Sequence, residues 1–560
     1  MDLGNLKRRR PRQPGWVPSS ARTPSLRVVP ALTSTLNTRS EAYQANREGL
    51  LGLLAAHEEQ QAIGRAGGGE KYVVRHRERG KLMARERVEL LLDRDTAFLE
   101  LSTLAAWGTE FTVGASVVTG IGVVSGVECV AIAHDPTVRG GSSNAYTWKK
   151  VMRAMDIARE NRLPLVNLVE SGGADLPNQA EIFIPAGRLF HDLTRLSSMG
   201  IPTVALVFGN STAGGAYVPG MCDYSVMVKD RAKVFLGGPP LVRMATGEES
   251  DDEELGGADM HARVSGLADY LAADETDCIR IGRDIVAHLR WRKLGGGPTE
   301  SPDEPLHDPD ELLGIAPVDL KVPVDPREVL ARVVDGSRFD EYKPLYGASL
   351  VTGWASIHGY PVGVLANHRG VLFGEEAQKA TEFIMLCNQI DTPLVFMQNT
   401  TGFMVGKAYE QQGIIKDGAK MINAVTNSTV PHLTINIGAS YGAGNYGMCG
   451  RSYDPRLLFS WPNAKSAVMG PQQLAGVMSI VARQSALAAG RAFDEEADAR
   501  SRAAVEEQIE GESSAFAMTS RLYDDGIIDP RDTRTVLGLG LSAVHSNSVQ
   551  GRRGWGVFRM

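Results

Sequence analysis

The sequence is poor in cysteine and lacks the cysteine spacings that bind metal or carry redox chemistry. Its five cysteines, Cys129, Cys222, Cys278, Cys387 and Cys449, are scattered through 560 residues, and no two form a CxxC pair. This spacing disfavours a zinc ribbon or a thioredoxin-like site. An odd, scattered set of thiols is typical of a reducing compartment. We therefore expect a cytoplasmic protein without a metal centre.

Two common side-chain motifs of catalysis are also missing. The chain contains neither an HExxH helix nor a Walker A phosphate loop. His134 and His261 lie near glycine-rich segments, but neither has an evident Asp and Ser partner set, and a lone histidine is more often structural. Glu170 is a candidate general base. No side chain stands out as the chemical centre of a site.

Charge of either sign is absent from two long stretches, 196–222 and 421–450. Both are long enough to cross a bilayer, but Gly, Ser, Thr, Asn and Pro interrupt them, so we interpret them as buried strand–loop–helix segments. The net charge of −7 argues against a general nucleic-acid binder. We expect neither nucleic acid nor membrane as a partner.

Acidic residues are nearly absent from the first 36 residues, where Lys7-Arg8-Arg9-Arg10 and Arg12 are followed by Pro and Ser. We predict that residues 1–36 form a disordered basic tail or follow a misassigned start. A mitochondrial transit peptide has a similar composition. In that alternative the protein would reside in the mitochondrial matrix.

Glycine, in contrast, is abundant, at 61 residues, and one glycine-rich turn is the most informative stretch. The apolar run 201–208 predicts a buried strand, and Ser211-Thr212-Ala213-Gly214-Gly215-Ala216-Tyr217 follows it. Paired glycines permit a sharp turn and a close approach of ligand to backbone. If a helix begins there, its first N–H groups lack intrahelical acceptors and carry the positive end of the dipole. The turn predicts a main-chain oxyanion site.

The same turn occurs a second time. After the apolar run 430–438 comes Ser440-Tyr441-Gly442-Ala443-Gly444-Asn445-Tyr446, so that Gly214 corresponds to Ala443 and Gly215 to Gly444. With the same spacing, Gly173 falls on Gly402 and Glu170 on Asn399. Agreement of anchors over some hundred residues indicates duplication of a whole domain rather than a short solenoid repeat.

A segment rich in Gly, Pro and acidic residues, 295–309, marks a domain boundary. We predict domains over residues 37–298 and 299–560. In the first domain a predicted helix over 145–160 carries Lys149, Lys150 and Arg153. These cations either lie on a solvated surface or steer a phosphate-rich ligand.

Paired N–H donors suit a thioester whose carbonyl becomes an enolate. Loss of one such donor typically costs about 3 kcal/mol of transition-state stabilisation. Two such turns suggest two reactants, each of which places negative charge on a carbonyl oxygen.

From about residue 37 to 560 the chain resembles the carboxyltransferase (β) subunit of biotin-dependent acyl-CoA carboxylases, most closely the methylcrotonyl-CoA carboxylase type. The resembling segments occur in the same order in both halves. They are residues 79–82, 135–137, 171–174, 212–217, 238–242, 398–406, 440–450, 461–464, 468–470 and 556–560.

The resemblance implies an α/β fold made of two tandem crotonase-like domains of the ClpP/crotonase (ββα superhelix) type. It also implies an active site between the N-terminal half of one subunit and the C-terminal half of another. The Gly214 and Gly215 amides would hold the acyl-CoA thioester oxygen, and the Ala443 and Gly444 amides would hold the biotin ureido oxygen. The implied acyl-CoA residues are Arg139, Gly140, Gly141, Lys149, Gly172, Gly173, Gly370, Val371 and Leu372. The implied biotin residues are Asn399, Thr400, Gly402 and Phe403.

The implied reaction needs no side-chain base: carboxybiotin releases CO2, the biotin nitrogen takes the substrate proton, and the enolate attacks CO2. Biotin would be carried by a partner, because the nearest match to an Ala-Met-Lys-Met biotinylation motif is Gly418-Ala419-Lys420-Met421, in a segment that looks helical. We therefore expect a biotin carboxylase/biotin carrier (α) subunit as partner, and a β hexamer in an α6β6 complex.

Two departures from the family pattern leave the acyl group open. Glu170 stands where the family more often has Asp, and segment 367–373 is one residue longer than usual. Methylcrotonyl-, acetyl-, propionyl- and longer acyl-CoA all remain candidates. The alternative functions are a biotin-dependent decarboxylase, which runs the transfer half-reaction backwards, another crotonase-fold enzyme such as a hydratase, and a non-catalytic scaffold for carboxylase assembly.

Overall fold

The computed structural model describes residues 29–560 and contains two mixed sheets, one in each half of the sequence. The first sheet has the strand order β1-β2-β3-β4-β5-β6-β8, with β7 beside β5, and the second has the order β16-β15-β13-β11-β10-β9, with β17 beside β15. A separate pair joins β12 to β14. The strands are β1 (Leu99–Leu101), β2 (Val117–Val124), β3 (Val127–His134), β4 (Leu165–Ser171), β5 (Thr203–Thr212), β6 (Tyr224–Val228), β7 (Lys233–Phe235), β8 (Tyr270–Ala272), β9 (Asp340–Glu341), β10 (Leu350–Ile357), β11 (Tyr360–Asn367), β12 (Val371–Leu372), β13 (Leu394–Thr400), β14 (Gly402–Phe403), β15 (His432–Tyr441), β16 (Leu457–Ser460) and β17 (Lys465–Ala467).

Helices cover both sheets and form the connections between parallel strands. They are α1 (Glu41–Arg65), α2 (Glu70–Glu78), α3 (Ala84–Leu91), α4 (Ala145–Asn161), α5 (Gln179–Ser198), α6 (Tyr217–Met221), α7 (Pro239–Thr246), α8 (Asp252–Gly256), α9 (Ala258–Met260), α10 (Glu275–His288), α11 (Leu312–Ile315), α12 (Pro326–Leu330), α13 (Gly374–Gln389), α14 (Lys407–Gln412), α15 (Ile414–Asn427), α16 (Gly442–Gly447), α17 (Pro471–Ala488), α18 (Glu495–Ser513), α19 (Ala515–Ser520) and α20 (Thr533–Val544).

Each half begins with an antiparallel hairpin and continues through two parallel crossovers. The hairpins turn at Ser125-Gly126 and His358-Gly359, where both residues of each pair have positive φ, the geometry of a tight two-residue turn. The crossovers run β3–α4–β4–α5–β5 in the first half and β11–α13–β13–α15–β15 in the second. This is the tandem crotonase-like α/β architecture that the duplication and the resemblance predict. The carboxyl ends of β4 and β5, and of β13 and β15, therefore lie side by side.

The charge-free stretches 196–222 and 421–450 contain β5 with α6 and β15 with α16, so their prediction as buried strand–loop–helix segments is confirmed. Within residues 29–560, no helix combines the length and apolar character needed to span a bilayer.

The predictions for Lys150 and Arg153 are wrong. Lys150 is buried, and its Nζ donates to the carbonyls of Gly114 and Val117 at 3.3 and 2.8 Å. Its counterpart in the second half, Lys379, donates to Gly347 and Leu350 at 3.4 and 2.8 Å. Burial lowers the pKa of each lysine to about 8. Through these hydrogen bonds the two lysines attach α4 to the segment that enters β2, and α13 to the segment that enters β10.

Arg153 connects the two halves instead of facing a ligand. Its Nε and Nη2 lie 2.7 and 2.8 Å from the two carboxylate oxygens of Asp525, which is fully buried, and Arg451 lies 3.2 Å from the same carboxylate. Burial alone would raise the pKa of Asp525, but the two guanidinium groups outweigh it and lower the pKa to about 2. The pair fixes α4 against the segment that follows α19.

Residues 1–28 of the predicted disordered tail lie outside the described residues, but its last part, 29–36, is ordered. Ala31 forms a β-bridge with Arg338, and the Ser34 hydroxyl and Thr35 amide donate to Glu328 at 2.6 and 2.8 Å. The segment is ordered because its hydrogen-bond partners lie about 300 residues further along the chain. The segment lies on the C-terminal half, and α1 packs on α11.

We predict that Asp525→Asn destabilises the protein by about 3 kcal/mol or more, because breaking a buried pair leaves Arg153 uncompensated. The wild-type contribution should be present above about pH 4 and lost as the pH falls toward 2, because the folded pKa lies below the unfolded value. Thermal denaturation midpoints at several pH values measure both effects. As a matched control, Asp259→Asn removes an exposed ion pair with Arg263 and should change stability by about 0.5 kcal/mol or less. Equal shifts for the two variants would contradict the prediction.

Candidate functional site

The first glycine turn follows β5 directly. Ala213 has a positive φ of 51°, a left-handed conformation that is costly outside glycine and recurs at functional sites. A 3-10 turn over Ala213–Ala216 then leads into α6. In the described part of the chain, no acceptor outside the turn receives a hydrogen bond from the Gly214 or Gly215 amide. Gly214 is exposed and Gly215 is partly exposed, so the turn is open to solvent.

One hydroxyl at the end of β4 supports this turn. Ser171 Oγ donates to the Gly141 carbonyl at 3.0 Å and accepts from the Gly173 amide at 3.2 Å. The same Oγ would lie 3.9 Å from a Cβ placed on Gly215. Gly172 and Ser143 complete the junction, with Gly172 N to Gly140 O at 3.0 Å and Ser143 N to Gly173 O at 2.8 Å. The loops after β3 and β4 are therefore joined directly beside the first turn.

The second turn repeats this construction after β15. Gly442 takes the place of Ala213 with a φ of 52°, and α16 begins there. Among residues 29–560, no acceptor outside α16 receives a hydrogen bond from the Ala443 or Gly444 amide. Ala443 is exposed, whereas Gly444 is buried. A Cβ on Gly444 would lie 2.8 Å from Thr400 Oγ1 and 2.9 Å from the Gly402 Cα, so only glycine fits there without a shift.

Thr400 supports the second turn as Ser171 supports the first. Its Oγ1 donates to the Gly370 carbonyl at 3.1 Å and accepts from the Gly402 amide at 3.2 Å. Val371 and Leu372 pair with Gly402 and Phe403 in the β12–β14 ribbon. The structure thus brings the predicted acyl-CoA residues 370–372 against the predicted biotin residues, beside the second turn.

The remaining predicted acyl-CoA residues lie in the first half. Gly140, Gly141, Gly172 and Gly173 form the junction beside the first turn. Arg139 is half-exposed and pairs with Asp175 at 3.2 Å. Lys149 is exposed on α4 and lines a surface cleft of about 630 Å³ together with Arg188 and Arg521.

Asn399 and Phe403 have structural partners within the chain. Asn399 Oδ1 accepts from the Ala439 amide at 3.1 Å, and its backbone N–H donates to Asn367 at 3.0 Å. The ring of Phe403 packs against Gly418 and Gly447. These contacts hold β13 and β14 in place under the second turn.

The side chains considered as catalytic groups are also bound into the structure. Glu170 forms ion pairs with Lys81 and Arg87. Burial would raise the pKa of Glu170, but the two cations hold it below its ordinary value, which makes it a weak base. His261 bonds to Ser265 Oγ and the Val234 carbonyl, both at 2.7 Å. Burial lowers the pKa of His134.

The sequence also contains a GxSxG match at residues 438–442, the pattern of a serine nucleophile elbow. The structure gives Ser440 a different role. Its hydroxyl is buried, bonds to Gln398 and accepts from Asn445 Nδ2 at 2.7 Å, and no histidine contacts it among the described residues. Through these hydrogen bonds Ser440 stabilises the second turn.

The region that contains both turns matches a known family and known relatives. Residues 75–558 match the family model for the carboxyl transferase domain. Over 529 residues the chain is 65% identical to the probable biotin-dependent acyl-coenzyme A carboxylase beta2 subunit of Mycobacterium tuberculosis, covering 94% of this chain and 100% of that protein. Over 541 residues it is 47% identical to the mitochondrial methylcrotonoyl-CoA carboxylase beta chain of Dictyostelium discoideum, covering 95% of this chain and 92% of that one.

A solved structure agrees with the sequence relatives. The beta subunit of geranyl-CoA carboxylase from P. aeruginosa superimposes with a TM-score of 0.87 at 42% identity, covering 95% of this chain and 100% of that one. The chain belongs to the carboxyl transferase family, as the carboxyltransferase (β) subunit of a biotin-dependent acyl-CoA carboxylase.

Proposed function

We propose that the two turns divide the carboxyl transfer between them. The Gly214 and Gly215 amides receive the thioester oxygen of the acyl-CoA as it becomes an enolate, and the Ala443 and Gly444 amides receive the ureido oxygen of biotin. The observation that carries this proposal is the repetition of one construction: paired amides with no acceptor outside their own turn among residues 29–560, and beside each pair a hydroxyl, of Ser171 or Thr400, that joins two glycine loops.

The residues at the second turn fit a ureido group, because two N–H donors are what a carbonyl oxygen of that kind accepts. When bound, carboxybiotin would supply the carboxyl group and a nitrogen that takes up the substrate proton. The chain itself holds the two oxygens and orients the two reactants. Such preorganised donors need no reorganisation as charge develops.

We further propose that each complete site is shared by two copies of the chain, within a β hexamer that binds a biotin-bearing α subunit. Large apolar side chains lie exposed on α5 and α17 in the single chain. Phe183 on α5 is 77% exposed and Ile480 on α17 is 59% exposed. Exposed apolar patches of this kind are typical of protein–protein interfaces, and a copy of the same chain is the partner that would complete the site.

For the substrate we propose methylcrotonyl-CoA or another short- or medium-chain acyl-CoA, because one relative is named for methylcrotonoyl-CoA and a structural neighbour for geranyl-CoA. The five unpaired thiols favour a reducing compartment, and we place the protein in the cytoplasm.

The test is capture of a biotinylated partner on the tagged chain, followed by an assay across an acyl-CoA panel. Carboxylation that requires both ATP and bicarbonate is the expected result. Turnover only from carboxylated acyl-CoA, without ATP, would indicate the decarboxylase instead, and no turnover in an intact complex would indicate a scaffold.

We predict that Gly215→Val lowers kcat by about a hundredfold or more, because a side chain at this position displaces the ligand oxygen from a donor. A Cβ at Gly215 has no neighbour closer than 3.6 Å, so the variant should fold and assemble. Steady-state kinetics and size-exclusion chromatography measure the two properties. Gly52→Ala, in open space on α1, is the matched control and should retain wild-type turnover. Normal turnover by Gly215→Val would contradict the assignment.

A mixing experiment tests whether the site is shared. Gly215→Val damages the first turn, and Gly444→Val damages the second turn together with Thr400 and Gly402 beside it. If each site combines the first turn of one copy with the second turn of its partner, randomly mixed oligomers should regain about a quarter of wild-type activity, since one arrangement restores an undamaged pair. If both turns of one copy formed a site, mixing would restore nothing. Each variant refolded alone serves as the control.

A further inference from the structure

A largely buried group of four charged residues lies against β5, the strand that leads into the first turn, and residues 29–560 contain no equivalent group against β15. Glu170, at the end of β4, pairs with Lys81 and lies 2.8 Å from Arg87. Arg87 also contacts both carboxylate oxygens of Glu275 at 2.9 Å. The Arg87 and Glu275 side chains are 1% and 4% exposed. The corresponding position in the second half is the neutral Asn399.

The charges in this group balance only when Lys81 is counted. Glu170 and Glu275 contribute two negative charges and Arg87 contributes one positive charge. Arg231 lies 3.6 Å from Glu275 but is one-third exposed, so water screens its contribution. His134, at the end of β3, also faces Glu170, and burial lowers its pKa and favours the neutral ring. Lys81 therefore supplies the charge that makes the buried group neutral.

The group is linked to the first turn through β4 and through β5, the strand that leads into the turn. Ser171, which supports that turn, directly follows Glu170 in β4. The Glu170 carboxylate lies against Gly209 of β5, where a Cβ would be 2.6 Å from Oε1. A net negative charge in this dry region would oppose the negative oxygen that the turn must stabilise, since charges interact strongly where water is excluded.

We propose that Lys81 is a positioning residue for the carboxyl transfer, which neutralises the buried Glu170–Arg87–Glu275 group and so keeps a net negative charge away from the first turn. Lys81 touches neither reactant and acts through Glu170. This inference rests on the proposed role of the Gly214 and Gly215 amides.

The test compares Lys81→Met, Lys81→Arg, Glu170→Gln and the double variant Lys81→Met/Glu170→Gln in the complex with the biotin-bearing subunit. The substrate is the acyl-CoA that the wild type turns over fastest. Lys81→Met should lower kcat about tenfold with KM within about twofold, because the added charge acts on the transition state. Lys81→Arg should stay within about threefold of wild type. Lys293→Met, which breaks a partly buried pair with Glu128, is the matched control and should be neutral.

The pH profile separates an electrostatic role from a structural one. The activity of Lys81→Met, divided by the activity of wild type at the same pH, should rise as the pH falls. The reason is that protonation of Glu170 removes the net negative charge of the buried group. The double variant should be faster than Lys81→Met and should lose this pH dependence. A double variant as slow as Lys81→Met, with a ratio independent of pH, would overturn the proposal.

A measurement without turnover distinguishes this proposal from the proposed function. Infrared difference spectra of Lys81→Met against the double variant should show an additional protonated carboxylic acid band that grows as the pH falls, since all other carboxyl groups, such as the buried Asp524, contribute equally to both variants. If no acyl-CoA is turned over by wild type, the proposed function fails, while the band still reports on Glu170. Absence of the band in Lys81→Met across the same pH range would overturn the role of Lys81.

Discussion

The hydroxyl groups of Ser171 and Thr400, at the ends of β4 and β13, determine where the loops of the site meet. Ser171 and Thr400 each donate to the carbonyl of a left-handed glycine, Gly141 or Gly370, and accept from a glycine amide two residues ahead. Each bond contributes about 1 kcal/mol, but together they join three loops at one sheet edge. The turn that follows the next strand is thereby held against a fixed support.

The side chains around the two turns serve the structure, which is what the proposed use of backbone donors allows. Glu170 is compensated by cations, Asn399 accepts a backbone amide, and Ser440 bonds beneath the second turn. His261 is occupied by two hydrogen bonds. Under the proposed mechanism, in which backbone amides stabilise the enolate, a scarcity of catalytic side-chain motifs in the sequence is the expected result.

Local signals made the turns and the duplication predictable, whereas long-range partners were not. A buried apolar run followed by paired glycines predicts a strand and a turn from residues adjacent in sequence. Arg153 was misinterpreted because its partner, Asp525, is 372 residues away, and nothing near either residue indicates the pairing. The burial of Lys150 was not predictable, because a lysine on a helix with both polar and apolar residues usually faces water. Only the structure shows the carbonyl groups to which its Nζ donates. The GxSxG match shows that a local pattern alone does not establish a site, since no histidine that could activate Ser440 lies beside it in the described chain.

The Glu170 and Asn399 positions show how two copies of one fold can diverge without losing the site. Each side chain lies against a glycine in the next strand, Gly209 or Gly438. A larger residue does not fit at either glycine, because its Cβ would collide with the Glu170 or Asn399 side chain. The Asn399 amide is neutral and accepts a hydrogen bond from the Ala439 backbone N–H. It therefore needs no cation from another segment to compensate a charge. A carboxylate cannot be buried alone, so the first half draws in Lys81 and Arg87 from outside its sheet. The order of the first turn is therefore coupled to the segment that precedes its sheet, and that of the second is not.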